Sequence, residues 1–370
     1  MPGVGFIRPA GSGGVGGGSV SVEVSNASPS IGDTITITAT ASGYTPDSYL
    51  FFAYNTVTDE MVFLAEQASN SFNWNVSGVF AGNYELYVLG VQNGTPDITS
   101  YGFESVTVLS NYLLDTAEGT GANFAFAFFK LRAAYTGEAA LMRRSSDNAQ
   151  KAFYFDSNGV LSLLSEDGSG TALGDWIGGD DGYLVTGYSQ DTFGVTFTAS
   201  NAADQQRVIV NGALVDLNGA VAMIGDTDIY VISTSLTVNS AFVVSKNDGL
   251  NLVNTVFGGN QDNFNFGGTV SGVTGIGMFD GSTNVQTSTE DLNPHLASYL
   301  TDTGIYVDGS LGVSGTTTDL TITRVAGRSD LSSGINGKIA CIVSYSTDKT
   351  ADRAAIEANI DSNFTPSLLP

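Results

Sequence analysis

Apolar and polar residues alternate through the first third of the chain. SVSVEV at 19–24 and TITITATASG at 34–43 carry the period of two expected of strands with one buried face, and Ile35 and Ile37 are predicted to point inward. YLFFAYN, MVFLAE, SFNWNVS, NYELYVLGVQ and FESVTVL follow, separated by turn-forming residues. Seven short strands over residues 19–109 predict a small β-sandwich with Trp74 as its large core filler. Residues 110–121 read as a linker in which Leu113 and Leu114 plug the domain junction. Beyond it the pattern predicts one large all-β unit over 122–364. Its strands are expected at 139–144, 151–155, 182–188, 194–198, 207–210, 229–232, 240–245, 274–279, 304–307, 320–325 and 338–345. The stretch 124–150 reads as a short helix stopped by Gly137, then a strand, then a Ser145-Ser146-Asp147-Asn148 turn. Beyond this opening helix, no interior helix is expected. A closing helix is predicted with Thr350 as its cap, Arg353 and Glu357 four apart, and Ala354, Ala355, Ile356 and Ile360 on its apolar side. Residues 1–18 form a Gly-rich arm and 365–370 a tail.

Size and strand count make the large unit a two-sheet jelly roll. In the first unit, Ala81-Gly82-Asn83-Tyr84-Glu85-Leu86 resembles a strand of the Ig-like modules found in bacterial surface and phage proteins, and no Cys pair makes it antibody-like. In the second, Leu131-Arg132-Ala133-Ala134-Tyr135-Thr136-Gly137 followed by Met142-Arg143-Arg144-Ser145-Ser146-Asp147-Asn148 resembles the opening segment of concanavalin A-like (LamG-like) domains of phage virion and tail proteins. It is more distantly similar to the catalytic domain of family-54 arabinofuranosidases. Tyr188, Gln190 and Asp191 match a further motif of that family, in which Gly187 replaces a Trp and Ser189 an Asp. Gln206-Arg207-Val208-Ile209-Val210, Ile224-Gly225-Asp226, 340–345 and 353–357 carry the rest of the resemblance. It implies an all-β chain: an Ig-like β-sandwich followed by a concanavalin A-like jelly roll with a short C-terminal helix. The setting it implies is the outer surface of a tailed-phage virion, as capsid decoration, head fibre or tail-associated protein, assembled in the host cytoplasm.

Charge sharpens the choice of partner. Thirteen Lys+Arg against 37 Asp+Glu leave a formal charge of -24, which repels phosphate backbones and argues against nucleic acid. Eleven carboxylates and no base lie between Arg8 and Lys130; five bases then fall within 130–151. Arg132, Arg143 and Arg144 are expected to pair with Asp147, Asp191 or Asp226, with Arg143 and Arg144 on opposite strand faces. The weaker alternative is a sugar- or carboxylate-binding patch. Asp175, Asp180 and Asp181 flank Trp176 in GDWIGGDDG, a loop suited to Ca²⁺ or to stacking a sugar on an exposed indole. No other cofactor or metal is expected. Phe6, Ile7 and Arg8 are the side chains able to anchor the arm on a neighbouring subunit. His295 is expected in a surface turn and Cys341 in an apolar strand, so neither a zinc site nor a thiol nucleophile is indicated. No signal-peptide core or 18-residue apolar run occurs, so neither classical export nor a membrane span is expected. The resemblance, with which this composition is consistent, implies a non-enzymatic virion structural protein. Its partners would be other virion proteins and further copies of itself. The alternatives are an adhesin binding host glycans and, behind that, a glycoside hydrolase.

Overall fold

A computed structural model describes residues 18–29, 33–56, 60–76, 82–108, 112–226, 229–249, 255–259, 262–270, 273–287, 292–327 and 335–370. Phe6, Ile7, Arg8 and the Asp226 side chain lie outside the described set. The chain divides into two compact units, Met1–Asn111 and Tyr112–Pro370.

The first unit is built from the strands that alternation predicts. They are β1 (Ser19–Val24), β2 (Thr34–Ser42), β3 (Ser48–Asn55), β4 (Glu60–Gln67), β5 (Ser71–Asn75), β6 (Gly82–Gln92) and β7 (Thr95–Val108). Two antiparallel sheets form, in the orders β1-β2-β5 and β4-β3-β6-β7. Ile35, Ile37, Phe51, Leu86 and Val88 fill the space between them, and Trp74 packs edge-on against Tyr84 at 5.7 Å. The Asn93-Gly94 turn joining β6 to β7 has φ of 53° and 70°, the left-handed pair that matches strand twist in a tight hairpin.

In the second unit the described strands form one connected network, apart from the short pair Asp216–Leu217 and Ala220–Val221. Its central sheet runs Ala122–Ala127, Asn336–Tyr345, Ser240–Asn247, His295–Leu300, Gly304–Val307 and Ser310–Ser314. This sheet is covered on both faces, which is why residues 241–244 of the strand Ser240–Asn247 are an unbroken apolar run rather than an alternation. One face sends Phe124, Phe126, Val243, Ile342 and Tyr299 into the larger core. The other sends Ala125, Phe242, Val244, Cys341 and Val343 into a second core, closed by Ile356 and Ile360 of the helix Arg353–Asp361. Leu113 and Leu114, expected to plug a junction, are buried in this second core and belong to this unit. Opposite the first face lie Glu138–Arg144, Gly182–Tyr188, Thr196–Ala199, Tyr230–Val238 and Leu320–Val325, paired in that order. Phe126 meets Phe197 edge-on at 4.6 Å, and Phe197 meets Tyr230 at 5.4 Å, so aromatic edges key one sheet to the other.

Several expectations change here. Residues 124–127 are strand, not helix: Phe124 and Phe126 alternate with Ala125 and Ala127, and each set has its own core to enter. A one-turn helix, Leu173–Ile177, does interrupt the sheets, because Leu173, Trp176 and Ile177 share one buried face. Thr350 does not cap the closing helix. It donates its hydroxyl to Asp348 at 2.6 Å, and the helix starts at Arg353 with Asp352 preceding it. His295 is buried at the head of a strand with Nδ1 2.6 Å from Asp308 Oδ2, not in a surface turn. Cys341 is buried as its apolar strand implied, and burial pushes its thiol up.

Gly187 shows why one residue departs from the resembled motif. A Cβ there would lie 2.0 Å from Phe197 Cζ, so no side chain fits while Phe197 keys the sheets. Gly187→Ala is expected to lower stability by about 1–3 kcal/mol through overpacking. A denaturant midpoint equal to that of the parent would refute this reading.

Candidate functional site

The basic island proves to be a structural latch. Arg144 spans the turn at 145–148: its Nη2 lies 2.6 Å from Asp147 Oδ2, its Nε 3.9 Å from Asp180, and its Nη1 donates to the Trp176 carbonyl. Asp180 also accepts the Ser146 hydroxyl at 2.5 Å, and Asp181 accepts the Asn211 amide at 2.8 Å and faces Arg207 at 4.0 Å. Asp175 is exposed. Arg143, on the opposite strand face as alternation requires, is buried and pairs with no carboxylate among the described residues. It donates to Gln205 Oε1 at 2.5 Å and Asn148 Oδ1 at 2.8 Å, over the Tyr183 ring. Arg132 pairs with neither Asp147 nor Asp191 among the described residues, and Asp191 instead accepts the Gly194 amide and the Ser189 hydroxyl. The Ser189-Gln190 pair fastens backbone. The Ser189 hydroxyl accepts Ala125 N at 2.7 Å, and Gln190 accepts Leu131 N at 2.7 Å while donating to Phe129 O at 2.8 Å.

Trp176 is not the exposed platform expected. It is 7% exposed, packs against Phe153 at 5.3 Å and lies under the Arg144 guanidinium. Among the described residues no group of three or more His, Cys, Asp or Glu converges to hold a metal ion. The Arg144 hydrogen bond, followed by the Ala149 amide, lowers the Asp147 carboxyl to about 2. A depressed carboxyl contributes stability above its unfolded value and loses it as pH falls through the folded value. The latch is therefore expected to hold down to about pH 4 and to open on the way to pH 2. Side-chain NMR titration of Asp147 checks this; a midpoint near 3.8 would contradict it.

The open cavity lies one residue further along the strand. Alternation sends Phe153 inward to Trp176 and Tyr154 outward, to a cleft of about 460 Å³ lined by Tyr154, Phe155, Asp156, Ser157, Leu164, Glu166 and Asp167. Leu164 is 74% exposed. The cleft walls are held by their own side chains. Asp156 accepts the Asn158 amide at 2.8 Å and the Ser162 hydroxyl at 2.7 Å, which shapes the loop that presents Leu164. Asp167 accepts the Ser169 and Thr171 amides and lies 2.5 Å from Lys151 Nζ. The Lys151 ammonium and those donors hold its carboxyl well below the usual range. Glu166 is exposed, and its backbone carbonyl receives Tyr154 N at 3.1 Å.

Aromatic groups continue from the cleft along the same end of the unit. Phe155 meets Tyr135 edge-on at 6.0 Å, the Tyr135 hydroxyl donates to the Glu138 carbonyl at 2.9 Å, and Tyr188 lies beside Glu138, Tyr135 and Tyr154. Burial, then Glu138 and Asp191, pushes the Tyr135 hydroxyl up to about 12, and burial with the nearby Glu138 pushes the Tyr188 hydroxyl up as well. Both stay protonated donors at any physiological pH. Phe193, on the adjoining turn anchored by Asp191, is 70% exposed. None of Tyr154, Phe155, Leu164, Glu166 or Asp167 stood out in the sequence. The Leu163-Leu164 pair set between serines in an acidic loop was the available signal.

No family model and no curated protein matches the sequence. Among solved structures, a GH54 α-L-arabinofuranosidase soaked with a cyclic sulfate inhibitor is similar at 13% identity and a TM-score of 0.47, over 67% of this chain and 64% of that one. An arabinofuranosidase complexed with arabinofuranosyl-α-1,2-xylobiose is similar at 12% identity and a TM-score of 0.43, over the same shares. The chain thus spans 64% of the length of these structures. Trypanosoma rangeli sialidase is similar at 10% identity and a TM-score of 0.24, over 90% of this chain and 84% of that one. At these values no residue role passes from them to this chain.

Proposed function

We propose that the second unit is a saccharide-binding module whose ligand lies in the cleft at 154–167 and extends toward Phe193. The cleft carries this reading: outward rings and an exposed Leu beside carboxylate and hydroxyl acceptors suit the apolar faces and equatorial hydroxyls of a sugar. The net charge of -24 selects a neutral or amino sugar over a sulfated or phosphorylated one. The way the cleft carboxylates are employed supports binding rather than cleavage. Hydrolysis needs two carboxyl groups facing each other across the sugar, one kept protonated. Here Asp156 and Asp167 are committed to loop backbone and Lys151, which leaves Glu166 alone.

Tyr154→Ala is expected to weaken binding of a neutral oligosaccharide about 2- to 10-fold, the worth of one stacked ring. Glycan-array screening of the intact chain followed by calorimetry of the variant tests it. Reducing sugar released from the bound glycan would show that cleavage, not binding alone, is the activity.

The wider setting belongs to the same proposal. The first unit's strand orders suit an Ig-like spacer or interaction module, and the 129–148 resemblance favours display on a virion surface, with other virion proteins and host glycans as partners. Mass spectrometry of purified particles tests the setting, which fails if the chain is absent from them.

A further inference from the structure

The first unit carries a second apolar surface, unrelated to the cleft. On the β4-β3-β6-β7 sheet, Phe51, Ala53, Leu86 and Val88 face the core, so Leu50, Phe52, Tyr54, Glu85, Tyr87, Tyr101 and Phe103 occupy the outer side. Register lines Phe63, Phe52, Tyr87 and Phe103 across all four strands. Phe52 meets Phe63 edge-on at 5.4 Å, and Phe103 stacks on Tyr87 at 5.7 Å. Phe63 and Phe103 are 56% and 52% exposed, more than isolated surface rings require. Glu66, cross-strand from Leu50, and Glu85 place carboxylates on the same face.

The charge of this face selects its occupant. A second copy of the face would bring carboxylates against carboxylates. The matching chemistry is an aromatic-aliphatic pair followed by a cation, and the chain contains it: Phe6-Ile7-Arg8, with Arg8 the sole Lys or Arg ahead of Lys130. A Cβ at Gly102, which points away from Tyr101 and Phe103, would lie 2.6 Å from Val20 O, so β1 lies on the core side of β7, and the segment reaches the aromatic face by rounding that edge strand. Ten residues from Gly18 to Arg8 span at most about 35 Å, whereas a four-stranded sheet is about 15 Å across. We propose that Phe6-Ile7-Arg8 docks on this aromatic face of its own chain, rings on rings and guanidinium toward Glu66 and Glu85.

Disulfide trapping in the full chain tests the docking. Ile7→Cys is combined with Ser105→Cys, exposed on the aromatic face, or with Thr40→Cys, exposed on the opposite sheet as a control of similar reach. Under mild oxidation the 7–105 bond is expected within one chain, forming about ten-fold faster than 7–40. Adding Phe6→Ser and Arg8→Glu should bring it down to the control rate. Equal rates for the two pairs, or disulfide-linked dimers as the main product, would overturn the proposal.

Discussion

Arg353→Met is expected to destabilise the second unit by about 3–5 kcal/mol, because it strands a buried charge. The Glu357 side chain is 2% exposed; it accepts the Ser298 hydroxyl at 2.6 Å and pairs with Arg353, which covers the Tyr306 ring at 4.0 Å. Without Arg353 the carboxylate keeps one neutral donor and no counter-charge. The helix that closes the second core then loses its hold on the sheet beneath it. Replacing both partners, Arg353→Met with Glu357→Leu, should recover most of the loss, since an apolar pair carries no desolvation penalty. The two tryptophans fall one in each unit, so a Trp74→Phe background lets Trp176 fluorescence report this unit alone during denaturant unfolding. A loss below 1 kcal/mol for the single variant would mean the pair is not the clamp described.

Phe126→Ala is expected to cost a similar amount, about 3–5 kcal/mol, for a different reason. Phe126 is fully buried and touches Phe128 at 5.0 Å and Phe197 at 4.6 Å, at the meeting of the two sheets. Its removal leaves a cavity bounded by sheets that cannot close over it. Phe126→Leu should cost less, having kept most of the volume. The same unfolding experiment separates the two. Equal stability of the alanine and leucine variants would show that the ring contacts do not key the sheets.

These two sites also show where the chain could be read and where it could not. In the first unit the alternation of β1 and β2 and the turn residues between the later apolar segments made all seven strands legible. Phe124 and Phe126 misled because apolar residues on consecutive positions suit a buried helix as well as a strand covered on both sides. The helix Arg353–Asp361, residues 113–114 and 215–222 and Phe364, distant in sequence, supply the second cover. Asp147 was legible as a partner of Arg144, since three residues separate them. The partner of Arg143 was not, because Gln205 lies 62 residues away. Trp176 looked like a binding platform because composition cannot tell an exposed indole from one under Arg144. The cleft escaped notice because its residues are ordinary types. What sets them apart is that Tyr154 sits on the outer face of a strand whose Phe153 is core.

The central claim is that a neutral saccharide occupies the cleft at 154–167. Its most direct test is titration of the best-binding neutral oligosaccharide into intact chain labelled at Leu methyl groups and followed by NMR. Saturable shifts are expected at Leu164 and Leu163, flanking the cleft, with Leu311 and Leu292 unmoved. Shifts confined to methyls outside 154–167, or no saturable shift at any methyl, would contradict it.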